Sequence, residues 1–269
     1  MKGSFLNILT QLVCRGAKMN NLIKYTFSLI IIASGVLLDF GAAPMKERAA
    51  APPVQEESKG TEDEIKLNVP LINQMEAPRL YNGCEVTSLA MMLHYWGIEV
   101  SKNELAEKIP RVPLQYNDGK YGNPNIGFVG NMEDGPGLGV YHGPIFQLAQ
   151  SYLTSELKVI DLTNHPFDTI IEKVSQGLPV WVITTTSFLP VASIESWLTP
   201  QEAVDISYNM HSVVITGYDE ESVYINNPYG TKNQKVNKDN FIKSWQQMGS
   251  QAIVIEPRDK GTGPLSLET

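Results

Sequence analysis

Asn82-Gly83-Cys84-Glu85-Val86-Thr87-Ser88-Leu89-Ala90-Met91-Met92-Leu93 decides how this chain is read. Asn-Gly is a turn dipeptide, and Glu85 to Tyr95 reads as a helix that ends at Gly97. Leu89, Met92, Leu93 and Trp96 recur at steps of three and four, so one helix face is buried. Cys84 therefore lies at or just before a helix N-terminus. Unpaired N–H groups and the helix dipole favour an anion there, which is the reactive thiolate form of cysteine. The same N–H groups can hold a developing oxyanion. A cysteine beside a helix is also commonly an inert buried hydrophobe, so the rest of the chain has to decide.

A nucleophilic thiol needs a base, and the base needs an orienting group. The chain has four histidines. His94 lies on the helix of Cys84, ten residues on. That is roughly 15 Å along the axis and about 80° around it, out of reach. His165 precedes a proline and reads as a turn residue. His142 sits in a glycine-rich loop beside Tyr141; both can contact a substrate, but a loop holds a base poorly. His211 opens an apolar run that reads as a strand and is followed by a second one. If Gly217 pairs with Glu221 across a three-residue loop, His211 faces Asn227. Two more loop residues leave Asn227 as a diagonal neighbour on the same face, and a change of one turns it away. Asn227 then fixes the tautomer of His211 and leaves the other ring nitrogen for Cys84. Asn226 competes for this role, and the Asn-Asn-Pro run also reads as an ordinary turn.

His211 follows Cys84 by 127 residues, close to the 130–150 or so that separate cysteine from histidine and asparagine in papain-type enzymes. Three motifs now stand in order. They are Gln74 with Asn82-Gly83-Cys84-Glu85-Val86-Thr87-Ser88-Leu89-Ala90, then His211-Ser212-Val213-Val214-Ile215-Thr216-Gly217-Tyr218, then Val223-Tyr224-Ile225-Asn226-Asn227-Pro228. Together they resemble the bacteriocin-processing-peptidase-like family of papain-fold cysteine peptidases, in its stand-alone exported bacterial members. The resemblance covers about Leu67 to Ile255. It implies an α+β papain-like fold, a helical part with the nucleophile packed on an antiparallel sheet. It also implies Cys84 as nucleophile, His211 as base and acid, Asn227 as third residue and Gln74 as oxyanion donor. Three departures stand out. Asn227 occupies a position where the family commonly has Asp. Gln74 lies ten residues before Cys84, a longer interval than the family implies, with Asn73 as fallback. Glu85 stands where transporter-fused members have Gly, so their double-glycine leader specificity does not carry over.

The 269 residues carry a net charge of −8 and no basic cluster, which argues against a nucleic-acid partner. There are two cysteines, Cys14 and Cys84, and no ligand spacing for zinc, so neither metal nor cofactor is expected. Arg15, Lys18 and Lys24 precede a 14-residue apolar run from Tyr25 to Leu38 and the small residues Ala42 and Ala43. This is the layout of an export signal, short of the roughly 20 residues that span a bilayer. Residues 1–43 are expected to be a signal or N-terminal anchor, 44–64 a linker rich in Ala, Pro, Glu and Lys, 65–256 the peptidase domain and 257–269 a disordered tail. Within the domain, the expected order is a strand at Ile65–Pro70, the cysteine helix, a short helix capped by Ser101 and a mostly irregular stretch from Pro110 to Pro144. Helices at Pro144–Leu153 and Pro166–Ser175, a buried strand at Pro179–Ile183, the His211 hairpin, a helix capped by Asn237 and a last strand at Gln251–Ile255 follow. Residues 199–208 read either as helix or as strand. The aromatics of the irregular stretch either line a cleft or pin the loop. Composition and motifs point to a thiol hydrolase outside the cytoplasmic membrane acting on a peptide, a protein or a cell-wall peptide. An acyl or peptidyl transferase with the same chemistry, or a binding module that lost activity, are the alternatives.

Overall fold

A computed structural model describes residues 64–258. The expected signal or anchor, nearly all of the linker and the tail beyond Arg258 lie outside the described residues. Among the described residues no helix is long and apolar enough to cross a membrane.

The elements run β1 (Ile65–Lys66), α1 (Cys84–Tyr95), α2 (Lys102–Lys108), β2 (Arg111–Val112), β3 (Phe128–Gly130), β4 (Gly137–Gly139), α3 (His142–Tyr152), β5 (Leu157–Asp161) and α4 (Phe167–Ser175). Then come β6 (Val180–Thr185), β7 (Glu195–Leu198), β8 (Ala203–Ile206), β9 (Met210–Tyr218), β10 (Ser222–Asn227), β11 (Thr231–Asn237), α5 (Lys238–Gln247) and β12 (Ala252–Pro257). The main sheet has the order β11-β10-β9-β6-β12-β5, with β1 beside β9, and every pairing in it is antiparallel.

Both faces of the sheet are covered, which is why its central strands read as continuous apolar runs. Alternate residues go to opposite sides. Trp181, Ile183, Met210, Val214, Ile253 and Ile255 share a core with Leu89, Met92 and Leu93 of α1. Val180, Val182, Val213, Ile215, Ala252 and Val254 join Ile170 and Val174 of α4 and Phe241 and Trp245 of α5 on the other side. The cysteine helix thus lies flat against the strand that carries His211.

The helix signals hold. Ser101 forms a full capping box with Glu104, and the Asn237 side chain accepts from the Asn240 N–H at the start of α5. Residues 110–144 are less irregular than expected. They contain the small sheet β2-β3-β4, built on strands of two or three residues that leave little periodicity to read. The aromatics there mostly pin the segment. Phe128 is fully buried, and Tyr121 stacks on Trp197 at 4.3 Å. The open question over 199–208 resolves to strand, with β7 and β8 forming a hairpin around Thr199. At the start of the domain only Ile65 and Lys66 pair as strand.

Candidate active site

Cys84 is the first residue of α1, and Gly83 caps the helix without a side-chain bond. The turn before it is tight: a Cβ at Gly83 would meet Leu80 Cβ at 2.5 Å, so only glycine fits. Asn82 ties the turn to a neighbouring loop by donating from Nδ2 to the carbonyls of Asn131 (2.8 Å) and Gly135 (2.9 Å). The first N–H groups of α1 have no acceptor within the helix.

His211 lies on β9 opposite Thr184 of β6. Its Nε2 donates to Asn227 Oδ1 at 3.0 Å, while Nδ1 is buried without a partner. Asn227 is itself held: Oδ1 also accepts from the Tyr229 N–H, and Nδ2 donates to Gln234 Oε1 at 2.9 Å. Asn226 takes a different job. Its Nδ2 donates to the carbonyls of Val69 and Pro70, and its Oδ1 accepts from the Asn233 N–H.

The hairpin reaches this arrangement by a route different from the simple loop count. Its tip pairs Tyr218 with Val223 and Gly217 with Tyr224. Continued regularly, that register would turn Asn227 away from His211. A bulge at Thr216 takes up one residue, so that Ile215 faces Ile225 and Val214 faces Asn226. Asn227 returns to the His211 face as a diagonal neighbour.

Gln74 sits in the loop between β1 and α1. Its N–H donates to the Pro228 carbonyl at 2.8 Å, next to Asn227. Its side-chain Nε2 donates to the carbonyls of Leu80 (3.1 Å) and Tyr81 (2.9 Å), just before Cys84. Gln74 thereby braces the cysteine turn against the asparagine turn with its amide hydrogens engaged. Tyr141 and His142 are engaged as well. The Tyr141 hydroxyl donates to the Asp205 carbonyl at 2.6 Å. His142 lies between Gln251 (Nδ1 to Oε1, 3.1 Å) and Asp161 (Nε2 to Oδ2, 3.4 Å). Neither shares a hydrogen bond with Cys84, His211 or Asn227.

The electrostatics of the resting site depart from the thiolate expected at a helix N-terminus. Cys84 is 7% exposed and His211 1%. Burial pushes the Cys84 thiol well up, and the Glu85 carboxylate pushes the same way. The backbone amides of Ser212 and of Cys84 itself pull it down by less. A helix terminus contributes at most about 2 kcal/mol, less than the several that desolvating an ion costs. Burial likewise lowers His211 to about 4, against a smaller opposing effect of its bond to Asn227. Both groups therefore rest neutral, one as a thiol and the other as an imidazole. Tyr229, half exposed, stacks on the imidazole with ring centroids 4.7 Å apart and planes within 9°. Among the described residues no group of three or more His, Cys, Asp or Glu side chains could hold a metal.

A helix that begins at a cysteine, packed on an antiparallel sheet that carries histidine and asparagine, is the architecture of papain-like cysteine peptidases. The Peptidase_C39 like family matches residues 66–253, and the chain belongs to it. It is 55% identical over 190 residues to the uncharacterized protein YvpB of Bacillus subtilis (strain 168), covering 71% of this chain and 75% of that one. A solved structure of a proposed C39-like peptidase from Bacillus anthracis is 46% identical with a TM-score of 0.69, covering 73% of this chain and 99% of that one. A double-glycine-motif protease from an AMS/PCAT transporter, solved with its leader peptide, is 18% identical with a TM-score of 0.40 over 72% of this chain and 98% of that one. That likeness is too slight to argue from.

Proposed function

We propose that the chain is a thiol hydrolase of peptide or amide bonds, acting outside the cytoplasmic membrane, with Cys84 as nucleophile and His211 as base. The observation that carries this reading is the division of labour on one imidazole. Nε2 is fixed by Asn227, and Nδ1 is left buried without a partner, on the strand against which the helix that begins at Cys84 packs. The export reading rests on the sequence of residues 1–43 alone.

Because both groups rest neutral, the proton moves during the attack. Sγ adds to the carbonyl carbon as its proton passes to His211 Nδ1. The carbonyl oxygen becomes an oxyanion held by the unpaired N–H of Cys84. Collapse of the adduct breaks the C–N bond, and the imidazolium returns its proton to the leaving amine. A water molecule, deprotonated by His211, then cleaves the thioester. Gln74 can join the oxyanion only by giving up the Leu80 or Tyr81 carbonyl, so its main contribution is to hold the two turns together.

The test is turnover on a peptide library by the wild type, Cys84→Ser and His211→Ala. Loss of about a thousandfold or more in both variants is expected, as for nucleophile and base acting as a unit. Full turnover by Cys84→Ser would overturn the assignment. The closed, neutral site specifically favours a second reading, a peptide-binding module without turnover. Equal binding of a library peptide by the wild type and Cys84→Ser, with no hydrolysis by either, would select it.

A further inference from the structure

Next to the thiol lies a second buried acid, the carboxyl of Glu85. Glu85 is 1% exposed, and its Oε2 is buried without a hydrogen-bond partner. Its Oε1 accepts from the Val140 N–H at 3.0 Å. The carboxyl fills a place shaped for it. Gly139 has φ +135° and no room for a side chain, since a Cβ would meet Glu85 Oε1 at 2.2 Å and Met210 Cε at 2.1 Å. From below, Trp181 Nε1 donates to the Glu85 main-chain carbonyl at 3.0 Å.

Groups from α1, β4, β9 and β6 face Glu85. Cys84 lies beside it on α1, Gly139 and Val140 at the end of β4, Met210 on β9 and Trp181 on β6. The remaining titratable neighbour is Tyr229, whose phenol is raised chiefly by burial and then by Cys84, Tyr81 and Glu85. Among the described residues no lysine or arginine pairs with Glu85. An isolated buried carboxylate is costly and favours its neutral acid.

We propose that Glu85 is a positioning residue for the nucleophile: its carboxyl decides, through its own protonation, whether the neighbouring thiol keeps its proton. As a neutral acid, Oε2 is a donor and can turn toward sulfur. As a carboxylate it is an acceptor only, and it opposes a second negative charge on Cys84. Both perturbations point this way. Glu85 raises the Cys84 thiol, and burial raises Glu85 itself to about 7 despite the backbone N–H groups of Glu85 and Val140 and the nearby Cys84 thiol. The consequence for turnover rests on Cys84 being the nucleophile. Glu85 then acts as a brake that tightens as the pH rises through neutrality.

The test is a pH titration of the Cys84 S–H stretching band by Raman spectroscopy, on the full chain carrying Cys14→Ser so that one thiol remains. Wild type, Glu85→Gln and Glu85→Asp are compared. The Gln variant should lose the band at a pH at least about one unit lower, a tenfold gain in thiolate at a given pH, while the Asp variant stays near the wild type. If the Gln variant fails to fold, Glu85→Met supplies the uncharged comparison. Superimposed titrations of the wild type and a folded uncharged variant would overturn the proposal. The readout does not depend on turnover. A Cys84→Ser enzyme that still hydrolyses would remove Cys84 as the nucleophile and leave the control of the thiol by Glu85 standing.

Discussion

His211 spends one ring nitrogen on Asn227 and keeps the other free, so the residue at 227 sets how readily the ring accepts a proton. An amide accepts the Nε2–H but carries no charge to offset an imidazolium. Asn227→Asp should therefore raise His211 from about 4 back toward the ordinary histidine range, as a carboxylate beside an imidazole does. An NMR titration of the imidazole protons reads this directly. Asn227→Ala should move His211 the other way and, if the chain is a hydrolase, cost about a hundredfold in turnover, the lower range for a general base. At this scale the helix that begins at Cys84 and the bond between His211 and Asn227 were legible from residue type and spacing. Glu85 was legible only as a departure from a related pattern. Its weight comes from burial without a countercharge, which involves Val140, Gly139 and Met210, far away in sequence. The bond from the Gln74 N–H to Pro228 was hidden for the same reason, whereas its side-chain bonds to Leu80 and Tyr81 are local and were hidden because an irregular loop has no periodicity to read.

At the scale of elements, the segment before α1 is fixed from outside. Lys102, nearly buried at the start of α2, sends Nζ to the carbonyls of Glu76 (3.0 Å) and Pro78 and to Asn103 Oδ1 (3.0 Å). Lys102→Met should leave those carbonyls short of a donor and destabilise the fold by about 1–3 kcal/mol. Urea denaturation checks this. Gly139→Ala should cost more, because it adds an unfavourable φ to a collision with Glu85 and Met210. A loss of several degrees in melting temperature is expected. The helices and central strands could be read from caps and apolar continuity. β5 and β11 could not. They are the two outer strands of the sheet, and β11 (Thr231–Asn237) has no buried residue while β5 has only Val159. A strand held mainly by its backbone ladder shows little alternation.

For the whole molecule, two buried groups pull stability in opposite directions with pH. His211 falls from 6.5 to about 4 on folding, so the unfolded chain binds more protons between those values. Stability from this group is intact above about 6.5 and is lost as pH falls toward 4. Glu85 rises from 4.5 to about 7, so the folded chain binds more protons in that interval. Its contribution is intact below about 4.5 and is lost as pH rises through 7. Each shift corresponds to about 3 kcal/mol at full extent. Between roughly pH 4.5 and 6.5 the two oppose each other, and the stability curve should be nearly flat there. Glu85→Gln should uncover the histidine alone, giving stability that climbs with pH across the same window. Chemical denaturation at a series of pH values distinguishes the two shapes.

The bulge at Thr216 also bears on how this sequence can change in length. It separates the pairing at the hairpin tip from the pairing at the histidine, so the two ends of β9 need not drift together. Residues inserted at Asp219–Glu221 lengthen the tip and leave Ile215 opposite Ile225. Deletion of Thr216 closes the ladder with that same pair intact. A gain or loss between His211 and Ile215, or between Ile225 and Asn227, moves one partner of the couple against the other. Lineages sharing this site should therefore vary in length beyond Gly217 and keep both inner intervals constant.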